Sequence, residues 1–275
     1  MPDRATTSRL ITTAAREHLQ PIGLRRRGQS RSWFDDRGWW LIHVEFQPSL
    51  NNGTYLNVGA MWLWANSDHW SFDDGYRIWW RDDGTFTTQP TAGERGWTSF
   101  LTYVADKQFA ADINVLADIA RRRVEQLRAT YPDPQAAAHL LASQSARPAE
   151  PAWWRDYHAA AAAALSGDTA TARHALARIH AGQLDPDWVH DLAQQARQLE
   201  DLTDQPAMLK QRVIDLITAT RRRLKLPPAA ALHEWPLGPA DITGDAAIAP
   251  RRQNNPQQPT NLTTKDRLAA ELRIF

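Results

Sequence analysis

The chain contains no cysteine, which excludes disulfide frameworks, thiol nucleophiles, iron–sulfur clusters and cysteine-ligated zinc, and leaves the redox compartment unreadable. No apolar run approaches the length of about 18 residues that a membrane span requires. The opening Met1-Pro-Asp-Arg-Ala-Thr-Thr-Ser8 lacks the apolar core of a signal segment. The sequence therefore reads as soluble and cytoplasmic, with no membrane partner. Charge of one sign is missing as well. The 32 basic and 31 acidic residues leave a formal charge of +1, which argues against a dedicated nucleic-acid binder. Lysine is scarce, with only Lys107, Lys210, Lys225 and Lys265 among the basic residues, a skew of composition that carries no chemistry. Neither a Gly-x-Ser-x-Gly elbow, a Gly-rich phosphate loop nor a dinucleotide fingerprint occurs. Serine hydrolases of the elbow type and nucleotide enzymes drop out, and no cofactor is expected.

What the chain does have is length, tryptophan and two kinds of periodicity. Its 275 residues suffice to bury a real core without a covalent or metal staple. Nine of the thirteen tryptophans (33, 39, 40, 62, 64, 70, 79, 80 and 97) fall in the first third. Indoles bury large areas around a single N–H, so most are expected in sheet packing and some on a recognition surface.

The spacing of Leu10, Ile11, Ala14, Ala15 and Leu19 predicts a helix over 7–19, ended by Pro21. Runs 29–34 and 38–47 flank the turn-forming Asp35-Asp36-Arg37-Gly38 and predict a hairpin. On its second strand Trp40, Ile42, Val44 and Phe46 share one face, while His43, Glu45 and Gln47 lie on the other. The run 54–64 alternates again, with Leu56, Val58, Ala60, Trp62 and Trp64 on one face and Tyr55, Asn57 and Gly59 on the other. A fourth strand is expected over 75–80 and part of a fifth over 85–88.

From Trp97 onward the period changes to three or four, with Ile113, Leu116, Ala120, Val124 and Leu127 on one helix running to about Ala129. No strand is expected after Trp97. Asp133-Pro134, Asp185-Pro186 and Gln205-Pro206 open helices near 134–145, 186–201 and 206–224. Helices over 153–165 and 169–181, joined by Ser166-Gly167-Asp168, form an αα-hairpin. It resembles half of a tetratricopeptide repeat, with no second copy at that period. The proline-rich stretch 226–262 reads as a linker or wrapping tail, followed by a short amphipathic helix over 263–274. The expected fold class is α+β: an antiparallel sheet of four to five strands flanked by helices, then a helical bundle. The expected domains are a Trp-rich sheet domain (1–130), a helical bundle (131–226) and the tail (227–275).

The motifs Leu19-Gln-Pro-Ile-Gly-Leu-Arg-Arg-Arg-Gly28, Trp33-Phe34, Val44-Glu-Phe-Gln-Pro-Ser49 and Tyr55-Leu-Asn-Val-Gly59 resemble the bacterial family called Domain of Unknown Function 4304. Its pattern runs helix, Gly-Phe with a basic run, aromatic strand, Phe-Gln-x-Ser, then a strand with Asn-x-Gly. Leu24 stands where that family usually has phenylalanine, and Arg77 with Trp79-Trp80 follows its arginine-and-tryptophan region loosely. The resemblance covers residues 7 to about 128 and implies a fold but no activity.

The candidate site is the polar end of the sheet face, where His43, Glu45, Gln47, Tyr55 and Asn57 converge if the two strands pair. Antiparallel sheets often leave one face wet, and Gly59 beside the cluster allows a ligand or another backbone to approach closely. The favoured reading is a non-catalytic protein-interaction module, adaptor-like or immunity-like, whose partner is another protein. The alternative is a metal-dependent nuclease or phosphodiesterase using Asp36, Glu45 and Gln47, which follow the order of an Asp, Glu-x-Lys site with Gln47 in place of lysine. Nucleic-acid binding is a further alternative. The arginine runs 25–27, 121–123 and 221–223 have simpler roles, the latter two in the late turns of predicted helices, where cations complement the dipole. Residues 1–31 carry seven arginines against two acids and residues 32–94 nine acids against three arginines, so intramolecular pairing is expected. His158, His174, His180 and His190 lack the spacing of a zinc pair and read as surface residues.

Overall fold

The computed structural model describes residues 4–143, 152–181, 189–229 and 232. Helix α1 (Arg4–Leu19) leads into the short strand β1 (Arg25–Arg26), then β2 (Ser32–Asp36), β3 (Trp40–Ser49) and β4 (Gly53–Trp62). The β2–β3 turn is made where Gly38 adopts φ +83° and Asp36 Oδ1 accepts the Gly38 N–H at 3.1 Å. Aspartate at the strand end and glycine at the left-handed position supply the two things this turn needs.

A one-turn 3-10 helix (Leu63–Ala65) follows β4, then β5 (Asp74–Arg77), β6 (Trp79–Trp80), β7 (Phe86–Thr87) and β8 (Phe100–Thr102). The main sheet is antiparallel in the order β1-β2-β3-β4-β5, and β8 also pairs with β4. The expected strand over 75–80 is in fact two. β5 pairs with Asn57–Ala60 of β4, but the next stretch of that edge, Gly53–Tyr55, is taken by β8. The chain therefore leaves the sheet, and β6 forms a separate two-stranded unit with β7. Strand β8 also corrects the expectation that no strand follows Trp97. Gly59 faces Gly75 in register, and a Cβ there would lie 2.5 Å from the Asp74 carbonyl. The close approach at Gly59 is thus by backbone.

Helix α2 (Asp106–Thr130) packs against α1, β3 and β4. Its Phe109, Ile113, Leu116, Ala120, Val124 and Leu127 are buried, as are Trp40, Ile42, Val44, Phe46, Leu56, Val58, Ala60 and Trp62 of the strands. Beyond it come α3 (Pro134–Ser143), α4 (Ala152–Ser166), α5 (Thr169–Ala181), α6 (Val189–Glu200) and α7 (Pro206–Arg223). Asp133 Oδ1 accepts the Ala136 N–H at 2.8 Å and Asp168 Oδ1 the Thr171 N–H at 3.0 Å, so both aspartates cap helices. Asp185-Pro186 and the final helix over 263–274 lie outside the described residues.

Residues 157–165 of α4 are buried without a break. A helix apolar on every side must be surrounded, and α4 packs against α3, α5, α7 and the 3-10 turn. The rings of Trp39, Trp62 and Trp64 lie parallel within 7°, with centroids 5.3 to 5.7 Å apart. Tyr131 meets Trp62 edge-on at 4.9 Å, and His158 of α4 accepts the Trp64 indole N–H. These aromatics join the sheet to the helices, and the buried residues of both form one connected core. Leu226 and Ala229 pack on it as well, and Leu232 is buried. All described residues belong to the compact unit that ends at Gly238. Among them, no helix is long and apolar enough to cross a membrane.

Candidate interaction face of the sheet

Strands β3 and β4 pair so that Glu45 faces Asn57, Gln47 faces Tyr55 and His43 faces Gly59. Four of the five candidate residues therefore meet. The Asn57 amide, fully buried, donates to Glu45 Oε2 and to Gln47 Oε1, both at 3.1 Å. Its own carbonyl accepts from Arg77 Nε at 2.9 Å, and Gln47 Oε1 accepts a second Arg77 N–H at 2.9 Å. The guanidinium lies 3.8 Å from the centre of the Tyr55 ring, a cation–π distance. Tyr55 leans on Phe100 at 4.8 Å, and Tyr76 stands 5.5 Å from the guanidinium with 46% of its surface exposed.

Arg77 is the central residue of this face. Sequence reasoning touched it only through the family resemblance. The Gly59 and Gly75 pair was the available signal: two strand glycines placed face to face put Arg77 opposite Asn57. Among the described residues no carboxylate lies within ion-pair distance of Arg77, and its two hydrogen-bond partners are neutral amide oxygens. Glu45, half-buried, accepts from Asn57 alone.

His43 departs from the expected wet face. It is 3% exposed because the segment after β4 folds over it: Phe72 stacks on the imidazole at 4.4 Å and Trp70 meets it edge-on at 5.3 Å. Neither ring nitrogen makes a hydrogen bond of full geometry, and the nearest polar group is the Ser71 backbone. Burial, then the positive charge of Arg27, pushes the His43 pKa down to about 4, against an opposing pull from the Ser71 backbone. Arg27 itself lies over the Trp70 ring at 4.6 Å, and Arg25 over Phe34 at 5.5 Å.

The Asp36, Glu45 and Gln47 constellation is not brought together. Asp36 sits opposite Leu41, and Glu45 lies four residues further along β3 opposite Ser32, a separation of roughly 13 Å at the strand rise. The Asp36 carboxylate is instead gripped by Arg221. Among the described residues, no three His, Asp or Glu side chains gather as a metal site. His158 is also corrected. Only 4% exposed, it is a core residue rather than a surface one, while His174 is exposed. In the arginine runs, Arg121 pairs with Asp118 and Glu125, and Arg122 with Asp118. Arg26 binds the carbonyls of Gln29 and Ser30.

No family model, no curated protein and no solved structure matches this chain.

Proposed function

We propose that this chain is a non-catalytic protein-interaction module, adaptor-like or immunity-like in its role, whose contact face is the open end of the sheet centred on Arg77. One observation carries the reading: a guanidinium fixed in place by Asn57, Gln47 and the Tyr55 ring, with no acid among the described residues to neutralise it. An isolated surface arginine is mobile and loses rotamer freedom when it binds. One already held in a planar fork loses little. Arginine and tyrosine are also the side chains that dominate binding energy at protein interfaces. The matching partner surface offers a carboxylate to the uncommitted edge of Arg77 and a donor to Glu45.

The test uses immobilised full chain, wild type beside Arg77→Ala, to capture partners from a cell lysate, followed by titration of the purified partner. A single protein is expected to bind stoichiometrically and to lose about thirtyfold or more in affinity to Arg77→Ala, with the variant still folded but its thermal midpoint lowered by a few degrees, because the buried Asn57 carbonyl loses its donor. A captured protein bound equally by Arg77→Ala would overturn the assigned face. Retention of oligonucleotides with a steep salt dependence would replace the protein partner with a nucleic acid.

A further inference from the structure

The ion pairing expected between the arginine-rich first 31 residues and the acids of the sheet does not form. Among the described residues, none of the seven arginines in that stretch makes a salt bridge. The sheet's acids pair elsewhere, Asp35 with Arg128, Asp36 with Arg221 and Glu94 with Arg81. Arg25 and Arg27 rest on Phe34 and Trp70. The other five gather round α1, whose apolar side, with Ile11, Ala14, Ala15 and Leu19, is buried.

Arg9 and Arg16 are exposed on the outer side of α1, two helical turns apart, which is about 10 Å along the axis. With Arg26 they line an open groove of about 440 Å3, whose lining also includes Ser8, Thr12 and Thr13. Arg26 is held in place, its Nε and Nη2 donating to the Ser30 and Gln29 carbonyls, both at 2.7 Å. Arg31 donates to Ser8 Oγ at 3.3 Å, and it shares a cavity at the start of α1 with Arg4. Burial, then the like charge of Arg4, lowers the Arg31 pKa. The one carboxylate within α1, Glu17, forms no ion pair. Like charges held this close without a counter-charge raise the energy of the free protein, and an anionic partner relieves it.

Nucleic acids and acidic protein segments both supply anions, and the extent of the patch favours the second. Helix α1 has 16 residues, a length of about 24 Å. Duplex DNA carries one charge per ~1.7 Å of its axis and runs on past the patch. There it meets a surface with no excess of positive charge, since residues 32–94 hold nine acids and the whole chain nets only +1. A short acidic helix ends where the patch ends, and the small Ser8, Thr12 and Thr13 side chains let it approach closely. We propose that the outer side of α1, together with Arg26, docks a short acidic helix of a partner protein, whose carboxylates two turns apart meet Arg9 and Arg16. This surface is a second contact, separate from the Arg77 face and independent of it.

The probe is a fluorescein-labelled helical peptide with glutamate at every seventh position, titrated with the full chain near physiological salt and read by fluorescence anisotropy. One control peptide carries glutamine for glutamate, and a second has the same residues in shuffled order. The glutamate peptide should bind saturably, the glutamine peptide should not bind, and the shuffled peptide should bind about threefold more weakly or less. Arg9→Gln combined with Arg16→Gln keeps good helix formers at exposed positions. That double variant should lose about tenfold in affinity with its melting curve unchanged, while Arg77→Ala should bind the peptide as wild type does. If the double variant does not fold, the three peptides on the wild type decide alone. No saturable binding, equal affinity for the glutamate and shuffled peptides, or a loss through Arg77→Ala instead of the α1 pair overturns the proposal. Displacement of the peptide by an oligonucleotide with a steep salt dependence overturns it in favour of a nucleic acid. Self-association of the chain that the α1 variant abolishes overturns it in favour of a second copy.

Discussion

Arg221, in the last turn of α7, grips Asp36 at the end of β2 through two charge-assisted hydrogen bonds of 2.7 and 2.8 Å, across 185 positions of sequence. Both side chains are almost fully buried, at 4% and 8% exposure. The same guanidinium donates to the Gly38 carbonyl at 2.8 Å and the Pro227 carbonyl at 2.9 Å. One side chain therefore ties together the β2–β3 turn, α7 and the segment that follows it.

Breaking this pair strands a buried carboxylate, which costs about 3–5 kcal/mol. Arg221→Met is expected to destabilise by that amount in urea unfolding. The double variant Arg221→Met with Asp36→Asn should recover a good part of it, because no charge is then left buried. Strictly additive losses in the double-mutant cycle would contradict the coupling.

His43 and Glu45 share a strand face, but the structure separates their expected behaviour. Glu45→Ala should change stability by about 0.5 kcal/mol or less, since Glu45 is half-exposed and accepts a single hydrogen bond. His43→Phe keeps the ring against Phe72 and removes two buried nitrogens that make no hydrogen bond of full geometry. It should leave stability unchanged or raise it by roughly 1 kcal/mol. A drop of several kcal/mol in its melting free energy would mean that the imidazole nitrogens are satisfied.

Acid should weaken the fold earlier than carboxylate chemistry alone requires. His43 and His158 take up a proton at about 4 and about 3 when folded, against the ordinary 6.5. Between those values the unfolded chain binds more protons, so falling pH favours unfolding. Stability should be flat above about pH 7 and decline from about pH 6.5 downward, by up to ~1.4 kcal/mol per pH unit for each histidine. The loss should continue to about pH 3. Urea unfolding across this range measures the slope, and His43→Phe should remove about half of it near pH 5.

Val44 is fully buried on the core face of β3. Val44→Asp places an unpaired charge there and should abolish cooperative unfolding or cost more than about 4 kcal/mol. A soluble variant with an unchanged melting curve would show the register of β3 to be inverted.

The elements legible in the sequence were those with a local period. Alternation along 40–46 and 54–62 marked two long strands and assigned their faces. Steps of three and four marked α2, and Asp133 and Gly167 marked a helix start and a turn. Each of these depends on residues a few positions apart. Strands β1 and β8, of two and three residues, are too short to show a period and exist because a neighbouring strand edge is free to pair.

Which side chains are covered was decided only by the tertiary structure, because burial depends on what arrives from elsewhere in the chain. His43 alternates into a polar row, yet Trp70 and Phe72 close over it. His158 looks like a surface residue until Trp64, 94 positions away, donates to it. The sequence alone placed Glu45, Gln47, Tyr55 and Asn57 on facing strands. The register of β5 then added Arg77, and packing of α7 on the 3-10 turn left Asp36 to Arg221.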